Sequence, residues 1–583
     1  MSNIFGTLYT GVSGLMTSQA GIEITGHNIA NANTEGYSRQ RAVIQTQNPL
    51  LVTPGPFGRG AKLEYVERTY DEVLANNLRR ENTSLSYWSA LQTSLDEVKV
   101  YFNELESGSG LGDALKEYFN AWQDLASTAP DNSDESQVKK IELVNKTETL
   151  ATKIQDSYAQ IESIRENSDL KIEQYVNEIN DIAESIRQIN IQIGKVESGG
   201  DRANDFRDQR DLLLEKLSDY VDFNVHERSD GQIAVLVGGN TLVDSDVTNK
   251  LYAVKNENNS NHYDIYWGSR VSNEPIVDIT SRISGGKVAA EIKLRDSILT
   301  EYTDKLDKLA QTLIEETNRI HSTGLGIERF DSITSSNGVY NPTYSFSRDL
   351  GKFPYDVNEG TFRIAVYNSE GEISDYYDID IDPEEDNLLS VIEKINSADG
   401  NAFGGRISAQ ISAGNSIKIT SEEGYTFSFT EDTSNFLVAS GLYGYFSGSG
   451  ARDIKLNDLI KNNPNFIATA KSTAAGDNTN ALDIANLKFK NVVDSNYSID
   501  EFYSVFTTTI AADKNQIDVF YNAKKQSVDQ FTIKLEQVRG VSIDEEFTNL
   551  IKFQKAYEAN ARFITAVDQM IDRLINGVGV VGR

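Results

Sequence analysis

Cysteine is absent from the 583-residue chain, which removes disulfides, thiolate zinc sites, iron-sulfur clusters and cysteine nucleophiles together. Histidine is scarce: His27, His226, His262 and His321 are scattered with no two at metal-ligand spacing, so they read as isolated polar or core residues. Only 9 prolines occur, far below the usual ~5%, and long uninterrupted helices are therefore permitted. No apolar run approaches the ~18 residues that cross a bilayer, so no membrane partner is expected. The first basic residue is Arg39, and the positively charged start of a secretory signal peptide is missing. Basic residues are in deficit throughout: 55 Lys and Arg face 87 Asp and Glu, a net charge of −32 that disfavours a nucleic-acid partner.

What remains is a chain that folds. Hydrophobic residues make up 39% and charged residues 24%, enough for real cores, and the length suggests three or four domains at roughly 100 to 200 residues each. At the amino end Phe5, Leu8, Val12, Leu15 and, past polar Gln19, Ile22 step by three and four, one stripe of a helix built to meet another helix. Gly6, Gly11, Gly14 and Gly21 weaken that helix by up to ~1 kcal/mol each. Residues 134–198 contain no proline and one glycine, and Ile154, Ile161, Ile172, Ile179, Ile186 and Ile193 keep a coiled-coil rhythm. Ile292, Leu299, Tyr302, Leu306, Leu309 and Leu313 repeat it, as do Ile510, Ile517, Val528, Phe531, Leu535 and Val538. Such seams are expected to pack antiparallel against one another, giving a rod-shaped bundle. Residues 221–282 and 330–490 instead alternate apolar and polar, as in Ile233, Val235 and Val237 or Phe362, Ile364 and Val366, and predict strands with one helix-like stretch at residues 388–395.

Candidate chemistry is thin. Asp378, Asp380, Asp382, Glu384, Glu385 and Asp386 form a dense acidic run, but Pro383 sits where a calcium loop would turn, and Ile379 and Ile381 alternate with the acids as on a strand with one wet face. Gly108, Gly110 and Gly112 resemble a phosphate loop superficially; no strand precedes them and no lysine follows, so a helix-to-helix turn is expected. Asp208 and Arg210, in a charged segment, read as part of a salt-bridged surface. No Gly-x-Ser-x-Gly elbow occurs. No catalytic residue, metal or cofactor is assigned, and an enzyme is not expected.

The specific signal lies at the two ends. After the first helix, Asn28, Asn31 and Asn33 crowd a stretch that continues through Thr34, Gly36 and Tyr37, and asparagines favour caps and turns over helix interiors. At the far end Phe547, Leu550, Gln554, Tyr557, Ala561, Ile564 and Ile571 step by three and four, while Ile551, Phe553, Phe563, Val567 and Met570 spread apolar character to other faces. A helix greasy on several sides needs several neighbours. The first helix is expected to be one, and other copies of the chain the rest.

The spacing Asn28-x-x-Asn31-x-x-Thr34-x-Gly36-Tyr37 resembles the signature of the flagellar rod, hook and hook-associated axial proteins. The segment from Gly540 through Phe547, Leu550, Gln554, Tyr557, Ala559, Ala561 and Arg562 is similar to that family's carboxyl-terminal signature. Three internal matches point to its hook-associated members: Asp208-Gln-Arg-Asp211 with Leu217 and Ser218; Gly285-Gly-Lys with Arg295, Leu309, Ala310, Asn318, His321 and Gly324; and Gly441-Leu442 with Phe446 and Gly448.

The resemblance implies a structural component of the bacterial flagellum, mainly α with β inserts. It implies an elongated multi-domain rod in which the terminal segments form a long antiparallel helical bundle or coiled coil. Residues 1–45 and 545–583 would form an inner tube, and residues 46–220, 285–330 and 491–544 a long-helix rod domain. Residues 221–284 would be a small β insert, and 331–490 a β-rich outer insert. Phe5, Leu8, Val12, Leu15, Ile22, Asn28, Asn31, Thr34, Gly36, Tyr37, Phe547, Leu550, Gln554, Tyr557, Ala561, Ile564 and Ile571 would make the assembly interface. The implied partners are other copies of the chain in a ring, the flagellar hook protein, hook-associated protein 3 and an export chaperone. Secretion would follow the flagellar type III route, uncleaved, to an extracellular position on the flagellum. Two other readings stay open at this point: a hook, rod or filament subunit, and a secreted coiled-coil adhesin.

Overall fold

The computed structural model describes residues 2–52, 55–102, 110–128, 131, 133–271, 274–397, 406–474 and 476–578. Residues 108 and 109 of the glycine-rich turn lie outside them; Gly110 precedes the helix Leu111–Ala126 in extended conformation. The fold is mainly α with β inserts. It comprises two compact units, one of residues 1–93, 167–294 and 516–583, the other of residues 94–166 and 295–515.

In the first unit, the helices Ser2–Ala30 and Ile543–Val578 pair. Residues 40–68, of which 40–45 were expected with the terminal helices and 46–68 with the long helices, form two antiparallel β-ribbons: Gln40–Thr46 pairs with Ala61–Arg68, and Leu50–Val52 with Gly55–Phe57. The alternation is hard to read there because neither face of the longer ribbon is buried beyond Gln40.

The helix Asp134–Glu197 is 64 residues long, about 100 Å at 1.5 Å per residue. Its seam in this unit meets helices, as its rhythm predicts, but strands as well. Ile172, Val176, Ile179, Ala183 and Ile186 pack on Leu214 and Leu217 of helix Asn204–Tyr220, on Val288 and Ala289 of helix Gly286–Lys293, and on Ile233, Val235, Val237, Leu242, Leu251 and Ile265. Those strand residues come from a four-stranded antiparallel sheet, Phe223–Glu227, Ile233–Val237, Asn240–Asp244 and Val247–Thr248, and a three-stranded one, Lys250–Asn256, His262–Gly268 and Val277–Asp278. Two asparagines on the helix accommodate the strands. Asn180 Nδ2 donates to the Leu251 carbonyl and its Oδ1 accepts from the Leu251 N–H, both at 2.9 Å, and Asn190 bonds Ile233 in the same two ways. Strand backbone groups that meet the helix are thereby satisfied without breaking its apolar seam. Gly286 (φ +77°) sits where a Cβ would fall 2.4 Å from the backbone of Tyr220, so this turn requires glycine.

Asp208 and Arg210 are buried rather than part of a salt-bridged surface. Asp208 accepts from Arg68 and from the Ser38 N–H, both at 2.8 Å, while Arg210 donates to the Gly231 carbonyl at 2.6 Å. They tie the helix Asn204–Tyr220 to the chain on either side of it.

In the second unit, Leu299, Tyr302, Leu306, Leu309 and Leu313 of the helix Leu299–His321 are buried. Beyond that helix lie two three-stranded antiparallel sheets. Ile373–Ile381 pairs with Gly360–Tyr367, which pairs with Thr426–Asp432; Ser332–Thr334 pairs with Ser416–Ser421, which pairs with Ile407–Ser412. The helix Leu388–Ser397 buries Leu388, Val391, Ile392 and Ile395. In the acidic run Ile379 and Ile381 point inward while Asp378 and Asp380 face out, Asp378 holding Arg363 at 2.7 and 3.0 Å. Asp386 departs from that pattern: it is buried and accepts from the Asp382 N–H, Ser390 Oγ and Lys394 Nζ.

His321 is a core residue of this unit. Its Nε2 accepts from the Ala468 N–H at 3.0 Å, so in the neutral ring Nδ1 carries the proton and donates to the Tyr443 carbonyl at 3.0 Å. Full burial pushes its pKa down to about 4 from 6.5. The unfolded chain therefore binds a proton below pH 6.5 that the folded one refuses, and stability is lost as pH falls from 6.5 towards 4, by about 3 kcal/mol in all. Urea midpoints followed through Trp122, with Trp88 and Trp267 replaced by Phe, are expected to fall over that range and to lose this component in a His321→Asn variant.

Candidate functional site: the paired terminal helices

Two helices whose sequences are 500 residues apart meet along most of their length, and the contact is made by small residues. Gly11, Gly14, Ser18, Gly21, Thr25 and Asn28 step by three and four and form the buried face of the first helix. A Cβ at Gly11 would lie 2.9 Å from Ile564, one at Gly14 2.6 Å from Asn560, and one at Gly21 2.6 Å from Phe553. Glycine here permits close approach, and its cost in helix propensity is secondary. The hydroxyls on this face return to their own backbone: Thr17 donates to the Ser13 carbonyl, Ser18 to Gly14 and Thr25 to Gly21, at 2.8 to 3.0 Å. No buried hydroxyl among these three is left unpaired.

The expected apolar stripe is not the face that makes these close glycine contacts. It lies roughly a third of a turn around the helix from the glycine face. Phe5 is 63% exposed, and Leu8, Val12, Leu15 and Ile22 are half-buried. On the partner helix Ile564 faces Gly11 and is half-buried, as are Leu550, Ala561 and Ile571, whereas Gln554 and Tyr557 are exposed and Phe547 is 50% exposed. Ile551, Phe563, Met570 and Ile575 add further exposed apolar surface.

The asparagine-rich turn locks the pair at one end. Asn28 is buried and uses all its capacity. Its Nδ2 donates to the Gln40 carbonyl at 2.8 Å and to Glu546 Oε2 at 2.9 Å, and its Oδ1 accepts from the Tyr37 hydroxyl at 2.8 Å and the Gln40 N–H at 2.9 Å. Glu546, also buried, accepts from Arg39 Nε at 2.9 Å, and Arg39 reaches Glu545 at 3.0 Å. Asn31 and Thr34 shape the turn: the Thr34 N–H donates to the Asn31 carbonyl, its hydroxyl to Asn31 Oδ1, and the Tyr37 N–H to the Thr34 carbonyl. Gly36 (φ +78°) turns the chain against Leu212. Burial and the nearby carboxylates of Asp205, Asp208 and Glu546 push the Tyr37 phenol up, so it stays a donor.

Phe5 through Ile22 thus stand apart from the lock, while Asn28, Gly36 and Tyr37 are in it. Arg39 and Glu546 were not assigned to the site from the sequence, and the glycines were read only as weakening the helix, although the small residues repeat the same three-four rhythm as the apolar ones. Asn28→Ala is expected to destabilise the helix pairing by about 4 kcal/mol, because Glu546 and Gln40 lose buried partners. Asn28→Asp should cost more, since it sets a carboxylate against Glu546. Hydrogen exchange of residues 543–575 checks both.

Among the described residues no group of three or more His, Asp and Glu side chains is placed to hold a metal ion, and none of the helices is long and apolar enough to cross a membrane.

Three family profiles match the chain. "Flagellar hook-associated protein FlgK helical domain" covers residues 95–331, "Flagella basal body rod protein" residues 8–37 and "Flagellar basal body rod FlgEFG protein C-terminal" residues 538–577. The last two fall on the paired helices and their lock. Flagellar hook-associated protein 1 of Bacillus subtilis is 26% identical, over 100% of both chains. The proteins of the same name from Salmonella typhimurium and Escherichia coli are each 24% identical, over 97% of this chain and 98% of theirs. The flagellar hook junction protein FlgK from Burkholderia pseudomallei shares the fold, with a TM-score of 0.50 and 16% identity over 80% of this chain and 100% of that one. With the relatives aligned from end to end and the profiles falling on the terminal helices as well as the helical middle, the chain is similar along its whole length to flagellar hook-associated protein 1.

Proposed function

We propose that the chain is the structural adaptor between the flagellar hook and its filament, and that it works through its paired termini. The observation that carries this reading is the division of labour on those helices. The glycine face and the Asn28–Glu546 lock hold the pair together, and the apolar side chains left over, from Phe5 and Met16 on one helix to Phe547, Ile551 and Met570 on the other, face away from it. Exposed apolar surface on that scale calls for covering by neighbours. Neighbouring copies cover it in a ring, so that residues 1–45 and 545–583 line an inner tube. Residues 46–220, 285–330 and 491–544 form the wall around it, and the β inserts 221–284 and 331–490 face solvent.

One face of the ring seats on the hook protein and the other receives hook-associated protein 3, which carries the filament. Before assembly an export chaperone covers the carboxyl-terminal helix, and the chain leaves unfolded through the flagellar type III channel. A chain without cysteine forms no disulfide that obstructs that passage. Cells lacking the chain are expected to build normal hooks, carry no filaments and shed flagellin. Immunogold labelling of wild-type flagella should mark one band between hook and filament; label along either polymer overturns the reading. Mass spectrometry of the secreted chain should find its amino terminus intact apart from Met1.

A further inference from the structure

A cleft of about 550 Å³ opens in the first unit between the helix Glu72–Phe102, the start of the strand Phe223–Glu227 with Asp222 before it, and residues 284–285. Its helix wall carries Arg79, Arg80, Thr83 and Tyr87. Across it, the only carboxylate among the lining residues, Asp222, is already engaged: it accepts from the N–H and hydroxyl of Ser284 and from the Gly285 N–H, at 2.7 to 3.2 Å. Arg79 is mostly buried and bonds Asn76, with Asp211 at 3.9 Å. Arg80 differs. It is exposed, and among the described residues no carboxylate stands within ion-pair distance of it. The cleft is thus a cationic socket in a chain of net charge −32.

We propose that this cleft receives an exposed carboxylate-bearing segment of a neighbouring copy of the chain. The inference rests on the ring reading above and deepens it. A ring built by rotation joins two different faces of each subunit, and copies this acidic repel one another wherever like charges meet. An unneutralised guanidinium beside a walled cleft is the place where such a contact gains rather than loses, through a charge-assisted bond of good geometry. Tyr87 and Val225 in the lining give the stem of an entering Asp or Glu an apolar surface to lie on.

The test uses the full-length chain in flagellated cells. Because the chain has no cysteine, Asn224→Cys at the rim of the cleft can carry a single photo-crosslinker after labelling of isolated hook-basal bodies. Crosslinks to a second copy of the chain support the proposal; crosslinks to hook protein alone, or none, overturn it. In parallel, Arg80→Glu is expected to be secreted at wild-type levels, to melt as wild type does, and to leave about tenfold fewer filaments per cell, with Arg80→Lys near normal. Full filament numbers in Arg80→Glu overturn the socket. Immunogold location of the chain is read separately, so a failure of the junction reading is distinguishable from a failure of the cleft.

Discussion

Cells whose chain carries Phe547→Asp, Ile551→Asp and Tyr557→Asp should swim no better than cells without it, with normal hooks and flagellin lost to the medium. All three side chains are exposed in the single chain, so the fold itself has little at stake: surface substitutions away from special features stay within about 0.5 kcal/mol. In the proposed ring they would be buried against neighbouring copies, and each aspartate would then bring an unpaired charge out of water at a cost of about 3 kcal/mol or more. Ile564 is left out of the set deliberately. It lies against Gly11, so an aspartate there would break the chain's own helix pair and confound the result. Circular dichroism of the secreted variant should match wild type, and filament counts by electron microscopy give the readout. Full filaments on the triple variant would remove the proposed role of this helix.

How much of this was legible in the sequence differs from one element to the next. The long helix Asp134–Glu197 and the strands at residues 233–237 announced themselves, because a core-facing seam and a half-buried strand have different periods. What the seam packs against was not legible. Asn180 and Asn190 look like ordinary polar breaks in the rhythm, and only the fold shows them holding strand edges. Asp208 and Arg210 were misjudged for a related reason: charge density reads as solvation unless its partners, here Ser38, Arg68 and the Gly231 carbonyl, are known to converge from distant parts of the chain. At the candidate site the signature turn was found, since asparagine, glycine and tyrosine at fixed spacing have few bland explanations. Its buried acidic partner, Glu546, looked like any other acid at the start of a helix. The glycines of the first helix were seen and assigned the wrong consequence, a weakening, because propensity is local and close approach is not.

That last point separates two kinds of glycine within one helix. At Gly6 an added Cβ meets nothing within 4 Å, whereas at Gly21 it falls 2.6 Å from the Phe553 ring. Gly6→Ala is therefore expected to stabilise the first helix by up to ~1 kcal/mol, the ordinary helix-propensity gain. Gly21→Val has the opposite sign. It pushes the two helices apart or drives Phe553 off its rotamer, an overpacking cost of about 2 to 3 kcal/mol that the propensity gain does not offset. Protection of residues 8–30 from hydrogen exchange in the isolated chain should rise in the first variant and collapse in the second. The second variant should also lose filaments, because a splayed pair presents the wrong surface to its neighbours. Phe553→Ala supplies the decisive control. If close approach is what glycine provides, the Gly21→Val, Phe553→Ala double variant should regain protection relative to Gly21→Val alone, a coupling that a propensity effect confined to one helix has no means to produce.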